Sequence, residues 1–143
     1  MSGLTPGLAL ARAAMALIGT PFRLHGRDPA TGLDCVGLVH AALAAIGREA
    51  PAPCDYGLRN RDISRPLGFL SKAGLAQTSA PPLPGDVLLV EPGPLQHHLL
   101  ILGEDGAVIH AHAGLRRVVS TPWPSTEPAP WPVLHRWRMI PSA

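Results

Sequence analysis

A chain of 143 residues has the length of one ordinary domain and is long enough to bury a core without disulfides or structural metal. Its 46% hydrophobic content argues against disorder, while 17 prolines and 15 glycines spread along it announce many turns. A net charge of +2, from 12 basic and 10 acidic residues with no long run of one sign, gives no reason to expect a nucleic-acid partner or an anionic membrane.

The first expected element is a helix. Thr5-Pro6 reads as an N-cap followed by proline at the first helical position, and Leu8, Ala11, Met15 and Ile18 recur on one face until Gly19. Leu8 to Ile18 is interrupted by Arg12, lacks a preceding basic segment and is too short to span a bilayer, so neither a secretory signal nor membrane insertion is expected. The chain is therefore expected to be made in the cytoplasm. A polar loop rich in glycine and proline follows, Gly19 to Pro29, in which Arg23, His25, Arg27 and Asp28 are candidates for substrate contact.

Asp34 is placed to cap a second helix, Val36 to Ile46, with Gly47 as a left-handed stop. Cys35 then sits in the first turn, where the positive end of the helix dipole and free amides favour a thiolate, and Gly37 adds no side chain beside the sulfur. The competing reading of Cys35 is a half-buried structural cysteine. Cys54 lies in the Pro51-Ala52-Pro53 stretch, and neither count nor spacing suggests a disulfide, which leaves Cys35 a free thiol.

Between Arg48 and Ala80 the pattern weakens. Ile63, Leu67, Leu70 and Gly74 have helical spacing in a segment broken by Pro66 and Gly68, so one or two short helices and a loop are expected. Pro81 to Asp86 is a turn, Val87 to Val90 a buried strand, and Glu91 to Pro94 another turn. His97 to Leu102 and Ala107 to His112 then form a hairpin around Gly103-Glu104-Asp105-Gly106, followed by short strands at Arg117 to Ser120 and Val133 to Ile140. The prolines of Pro122-Trp123-Pro124 and Pro130-Trp131-Pro132 resist regular structure. Helices first and an antiparallel sheet after them make the fold class α+β, in a single domain over residues 1–143.

A thiolate nucleophile needs a base, and the base needs a group that fixes its tautomer. With Glu104-Asp105-Gly106 as a three-residue loop and glycine left-handed, His98 and His110 lie on the same face of neighbouring strands, close enough diagonally for one ring to orient the other. Cys35, His98 and His110 are thus a candidate triad. The same hairpin also carries His97 and His112, and the four histidines are an alternative metal-ligand set.

Gly19-Thr20-Pro21-Phe22, Asp34-Cys35-Val36-Gly37-Leu38-Val39, Pro84-Gly85-Asp86-Val87, His98-Leu99-Leu100-Ile101 and Ile109-His110-Ala111 resemble, in order, the successive motifs of the NlpC-type cell-wall peptidases, a papain-like superfamily. The likeness runs from about Leu8 to about Val119. The short form, with Arg23 to Pro29 before the cysteine and a Trp-containing C-terminal segment, is similar to the phage-tail and gene-transfer-agent branch. The resemblance implies cleavage of stem-peptide amides in peptidoglycan, next to D-glutamate or diaminopimelate, with Cys35 attacking, His98 as base and His110 as orienter. Carriage on a phage-like tail or baseplate, which would stand in for an export signal, and action on the cell wall go with it. Phe22, Arg23, His25, Asp34 and His112 are the candidate substrate contacts, and the reading calls for no cofactor and no metal.

Two positions depart from the family pattern. Phe22 stands where tyrosine is common, which removes a hydroxyl, and Leu100 stands where Gly or Ala is usual, with bulk that would narrow the groove. The His97-His98 doublet leaves the base open: His98 keeps the spacing to His110 without a gap, whereas His97 requires one extra residue in the hairpin loop. A one-residue shift reverses every side chain, so only one of the two can point at Cys35. A structural tail component that keeps the fold with weak or no turnover is the alternative function.

Overall fold

The computed structural model describes residues 4–48, 50–51, 67–94, 96–124 and 129–141. Helix α1 runs Pro6–Met15, with Thr5 as N-cap accepting a hydrogen bond from the Leu8 amide. Its buried residues are Leu10, Ala11 and Ala14, while Met15 and Ile18 are exposed, so the helix turns a different face inward from the one expected. Both stripes have helical spacing. The smaller, alanine-rich one wins because alanines let α1 come close to α2, the helix Cys35–Ala45. Helix α2 is buried over most of its surface and ends at Ile46, with Gly47 left-handed at φ 78° as expected.

Two short strands pair ahead of α2, β1 (Arg27–Asp28) inside the Gly19–Pro29 segment that was expected to be a loop and β2 (Gly32–Leu33) just beyond it. Their approach to α2 depends on Gly37. A Cβ at that position would lie 1.9 Å from the Gly26 carbonyl oxygen, so its bareness admits the loop and is not there for the sulfur. Helix α3 (Gly68–Lys72) and strand β3 (Leu75–Gln77) follow, and the strand was not anticipated; Cys54, Ile63 and Pro66 lie outside the described residues.

The main sheet has the order β3-β8-β4-β5-β6-β7, built from β4 (Val87–Gly93), β5 (Gln96–Leu102), β6 (Ala107–His112), β7 (Arg117–Pro122) and β8 (Val133–Met139) together with β3. Every pairing within it is antiparallel. Strand β4 extends through Glu91-Pro92-Gly93, where a turn was expected. The ladder with β5 is irregular between Val90 and Gly93 and the Glu91 amide bonds to Pro132, so proline falls where no regular rung needs its missing N–H. For the same reason Pro122 is accommodated at the end of the edge strand β7.

Alternation along the strands builds two cores. Leu89, Leu99, Ile101, Ile109, Ala111 and Val118 face the helices, and Leu88, Val90, Leu100, Leu102 and Val108 form a second cluster on the opposite face, against Trp123 and Trp131. The outer edge of β7 is stitched to the loop before Cys35. Gly19 donates to the Val118 carbonyl, Val118 to the Thr20 carbonyl, and Phe22 to the Arg116 carbonyl. At the other side of the molecule Asp86 is buried and accepts from Arg136 Nη1, from Arg138 Nε and Nη2, and from the Leu83 amide.

Candidate active site

Asp34 organises the start of α2. Its Oδ1 accepts from the Gly37 amide at 2.8 Å, which caps the helix, and its Oδ2 accepts from the His25 amide at 2.9 Å. Arg27 Nη1 reaches Oδ1 at 2.9 Å and the Gly26 carbonyl at the same distance. One buried carboxylate therefore fixes both the helix and the loop in front of it, with His25 held left-handed at φ 61°. These bonds place most of the expected substrate contacts. Asp34 and Arg27 are paired with each other, Asp28 caps the Ala30 amide, and Phe22 packs against the helix-side core. Arg23 is exposed, and His112 Nδ1 accepts from the Leu115 amide.

Cys35 is a partly buried free thiol. The amide of Leu102 bonds to Asp86 on the β4 side, so alternation turns the amides of Ile101 and Leu99 toward β6. The β5–β6 register pairs Ile101 with Ile109 and Leu102 with Val108 and goes no further. The Leu99 amide thus points into the place where the two strands part, and it is one of two backbone groups, with Val36, that favour the Cys35 thiolate. The sulfur lies beside the peptide link that joins Leu99 to His98.

The protonation state is the reverse of the one expected from the helix terminus. Burial pushes the Cys35 thiol up to about 11, with the Asp34 carboxylate adding to the rise, and these outweigh the two amides and Arg27. At pH 7 about one sulfur in ten thousand is then a thiolate. Alkylation of Cys35 by iodoacetamide, followed by mass analysis of its peptide, is expected to accelerate about tenfold per pH unit from pH 7 to pH 10. A plateau reached by pH 8 would show that the thiolate already prevails in the resting protein.

His98 and His110 are joined directly: His98 Nε2 and His110 Nδ1 are 3.0 Å apart, with the rings edge to face. The three-residue loop that sets this register is present, with Gly106 left-handed at φ 78°. His110 Nε2 continues to Thr121 Oγ1 on β7 at 2.9 Å. Trp131 stands edge-on to both imidazoles, with ring centroids 6.2 Å from His98 and 6.0 Å from His110. Burial, then the neighbouring rings of His110 and His112, lower His98 to about 3. Burial, then His112, lowers His110 to about 4. Both rings are neutral at pH 7, so the bond between them carries one proton and requires complementary tautomers.

The pleat turns the two members of the doublet to opposite faces of the sheet. His98 follows Leu100 and Leu102 on the second-cluster face, and His97 follows Leu99 and Ile101 toward the other, with its Nε2 3.8 Å from Glu91 Oε2. Leu100 is fully buried in the second cluster, so its bulk enters a core and does not narrow a groove. His98 Nε2 and His110 Nδ1 are directed at each other, and His110 Nε2 is directed at Thr121. Among the described residues no group of three or more histidines, cysteines, aspartates or glutamates is arranged to hold a metal ion. Thr121 and Trp131 are the members the sequence reading missed. Thr121 was recoverable once the β6–β7 register was known, since it pairs with Val108, two residues along from His110 on the same face.

A sequence model of the NlpC/P60 family matches residues 19–127. No curated protein sequence matches the chain. Among solved structures, NlpC2 from Trichomonas vaginalis aligns over 96% of this chain with a TM-score of 0.66 and 20% identity. This chain spans 50% of that protein's length. An NlpC/P60 family protein from Bacillus cereus aligns over 96% of this chain and 42% of its own, at a TM-score of 0.63 and 22% identity. The NlpC/p60 domain of the peptidoglycan hydrolase SagA aligns over 81% of this chain and 88% of its own, at 0.54 and 25% identity. These likenesses establish a papain-like α+β fold.

Proposed function

Because the chain belongs to the NlpC/P60 family, we propose that it is a cysteine peptidase that hydrolyses amide bonds of the peptidoglycan stem peptide. The observation that carries the proposal is the 3.0 Å bond between His98 and His110 next to the strand opening that receives Cys35. With His98 Nε2 engaged by His110, Nδ1 is the nitrogen left to accept the thiol proton. The resting pair is neutral, so the proton moves from Sγ to His98 as sulfur attacks the scissile carbonyl. The oxyanion that forms is held by the Cys35 amide, which precedes the first intrahelical bond from Leu38 to Asp34. His98 then hands its proton to the leaving amine, which departs and leaves a thioester. It next takes a proton from water; the hydroxide attacks the thioester carbon, the carbon–sulfur bond breaks to release the acid, and His98 returns its proton to the departing sulfur, restoring the thiol.

The finer assignment is to the phage-tail and gene-transfer-agent branch, supported by the Arg23–Pro29 segment and the Trp-containing stretch from Trp123 to Trp137. In that reading tail or baseplate proteins carry the enzyme to the wall, and its detection by mass spectrometry in purified tail particles checks it. A second function, a tail component with the fold and little turnover, draws on the raised Cys35 thiol. Digestion of purified peptidoglycan separates the two. Wild type is expected to release fragments opened at one defined stem-peptide bond, and Cys35→Ala to release none; equal inertness of both would select the tail component.

A further inference from the structure

We infer that Thr121 is a positioning residue for the peptidase reaction, whose hydroxyl ends the His98–His110 chain and sets the direction in which the two rings hold their protons. The inference rests on the proposed peptidase activity. It starts from two consecutive bonds, His98 Nε2 to His110 Nδ1 at 3.0 Å and His110 Nε2 to Thr121 Oγ1 at 2.9 Å.

Two neutral imidazoles in series admit two arrangements. In the first, His98 Nε2–H donates to His110 Nδ1, His110 Nε2–H donates to Thr121 Oγ1, and His98 Nδ1 is bare. In the second, the Thr121 hydroxyl donates to His110 Nε2, His110 Nδ1–H donates to His98 Nε2, and His98 Nδ1 carries the proton. Only the first leaves His98 Nδ1 bare, as the base of the proposed reaction must be. The hydroxyl favours it because Thr121 belongs to an exposed position on the edge strand β7, where Oγ1 accepts from His110 while its own hydrogen turns to solvent. The second arrangement puts an N–H on His98 Nδ1, which then cannot accept the thiol proton in the proposed reaction.

Three features hold the hydroxyl in place. Threonine is stiff at χ1, β7 is stitched to Gly19 and Thr20 through Val118, and Trp131 confines both imidazoles from the side. Thr121 touches no reacting atom. It acts through His110 on His98, as a third group in a proton chain does for its neighbour.

The test compares the full chain with Thr121→Val, which keeps the shape, and Thr121→Ser, which keeps the hydroxyl. Steady-state kinetics on a soluble peptidoglycan fragment are expected to give about a five- to tenfold loss of kcat for valine with KM unchanged, and recovery to within about twofold for serine. Two-bond proton–nitrogen spectra of the imidazoles are expected to show Nε2–H on both His98 and His110 in the wild type and in serine, with Nδ1–H growing in at both for valine. Unchanged tautomers and unchanged kcat in valine would overturn the inference. So would a loss that serine fails to restore, since that marks packing. Turnover that survives Cys35→Ala would instead overturn the peptidase reading, and the spectra would still decide what the hydroxyl does.

Discussion

His98→Ala is expected to lose about 10²–10⁴-fold in kcat/KM on peptidoglycan fragments, the usual worth of a positioned general base, while His97→Ala stays within about twofold of wild type. The two residues are chain neighbours and chemically identical, so the contrast isolates direction. His98 sits in the chain that runs through His110 to Thr121, and His97 is turned toward Glu91 on the other side of the strand. Because His98 packs beneath Trp131, His98→Gln serves as a companion that preserves bulk, and thermal unfolding of each variant separates lost chemistry from lost fold. A large loss in His97→Ala with full activity in His98→Ala would move the base to the other face and break the proposed mechanism.

Asp86→Ala is expected to lower the unfolding free energy by about 3–5 kcal/mol, the cost of removing one partner from a buried ion pair. Asp86 is 1% exposed and serves two guanidiniums at once, Arg138 through a two-pronged contact of 3.0 and 2.9 Å and Arg136 at 2.9 Å. Its removal leaves two cations on β8 facing each other, and the Leu83 amide without its acceptor. Arg136 still reaches the Ala80 carbonyl and Arg138 the Pro81 carbonyl, which tempers the loss. In a chain of this length the change amounts to a fall of about 10–15 °C in the melting temperature. A fall below about 3 °C would mean that the cluster is solvated in solution and contributes little. The Pro-Gly-Asp turn thus holds β8 against β4, and with it the strand that leads back from Trp131.

What was legible in the sequence was whatever local chemistry decides. Asp34 caps α2 because a carboxylate before an alanine-rich run has one obvious use, and Glu104-Asp105-Gly106 fixes the β5–β6 register because a left-handed glycine leaves no other loop geometry. The pairing of His98 with His110 followed from that register alone. Features decided by distant packing were not legible. Nothing in Leu8, Met15 and Ile18 tells that α2 selects the neighbouring alanine stripe, and β3 depends on β8, far along the chain. The Cys35 thiol was misjudged because a helix terminus is read locally, whereas burial and the Asp34 charge act only in the folded protein. Thr121 and Trp131 looked like ordinary turn-flanking residues, since each gains its part only when its segment crosses the histidine hairpin.

The seam between Gly19–Phe22 and β7 has a consequence for the timing of folding. It joins residues roughly a hundred positions apart, so the loop before Cys35 closes only after β7 has been made and the sheet has collapsed. Cys35 leaves the ribosome early, His98 and His110 much later, and the hydroxyl and indole that confine them later still. In the proposed mechanism the sulfur is therefore made well before its base, and the site is assembled in one late event. Amide exchange at Gly19 and Val118 should accordingly track global unfolding, marking the seam as the clock of the site's assembly.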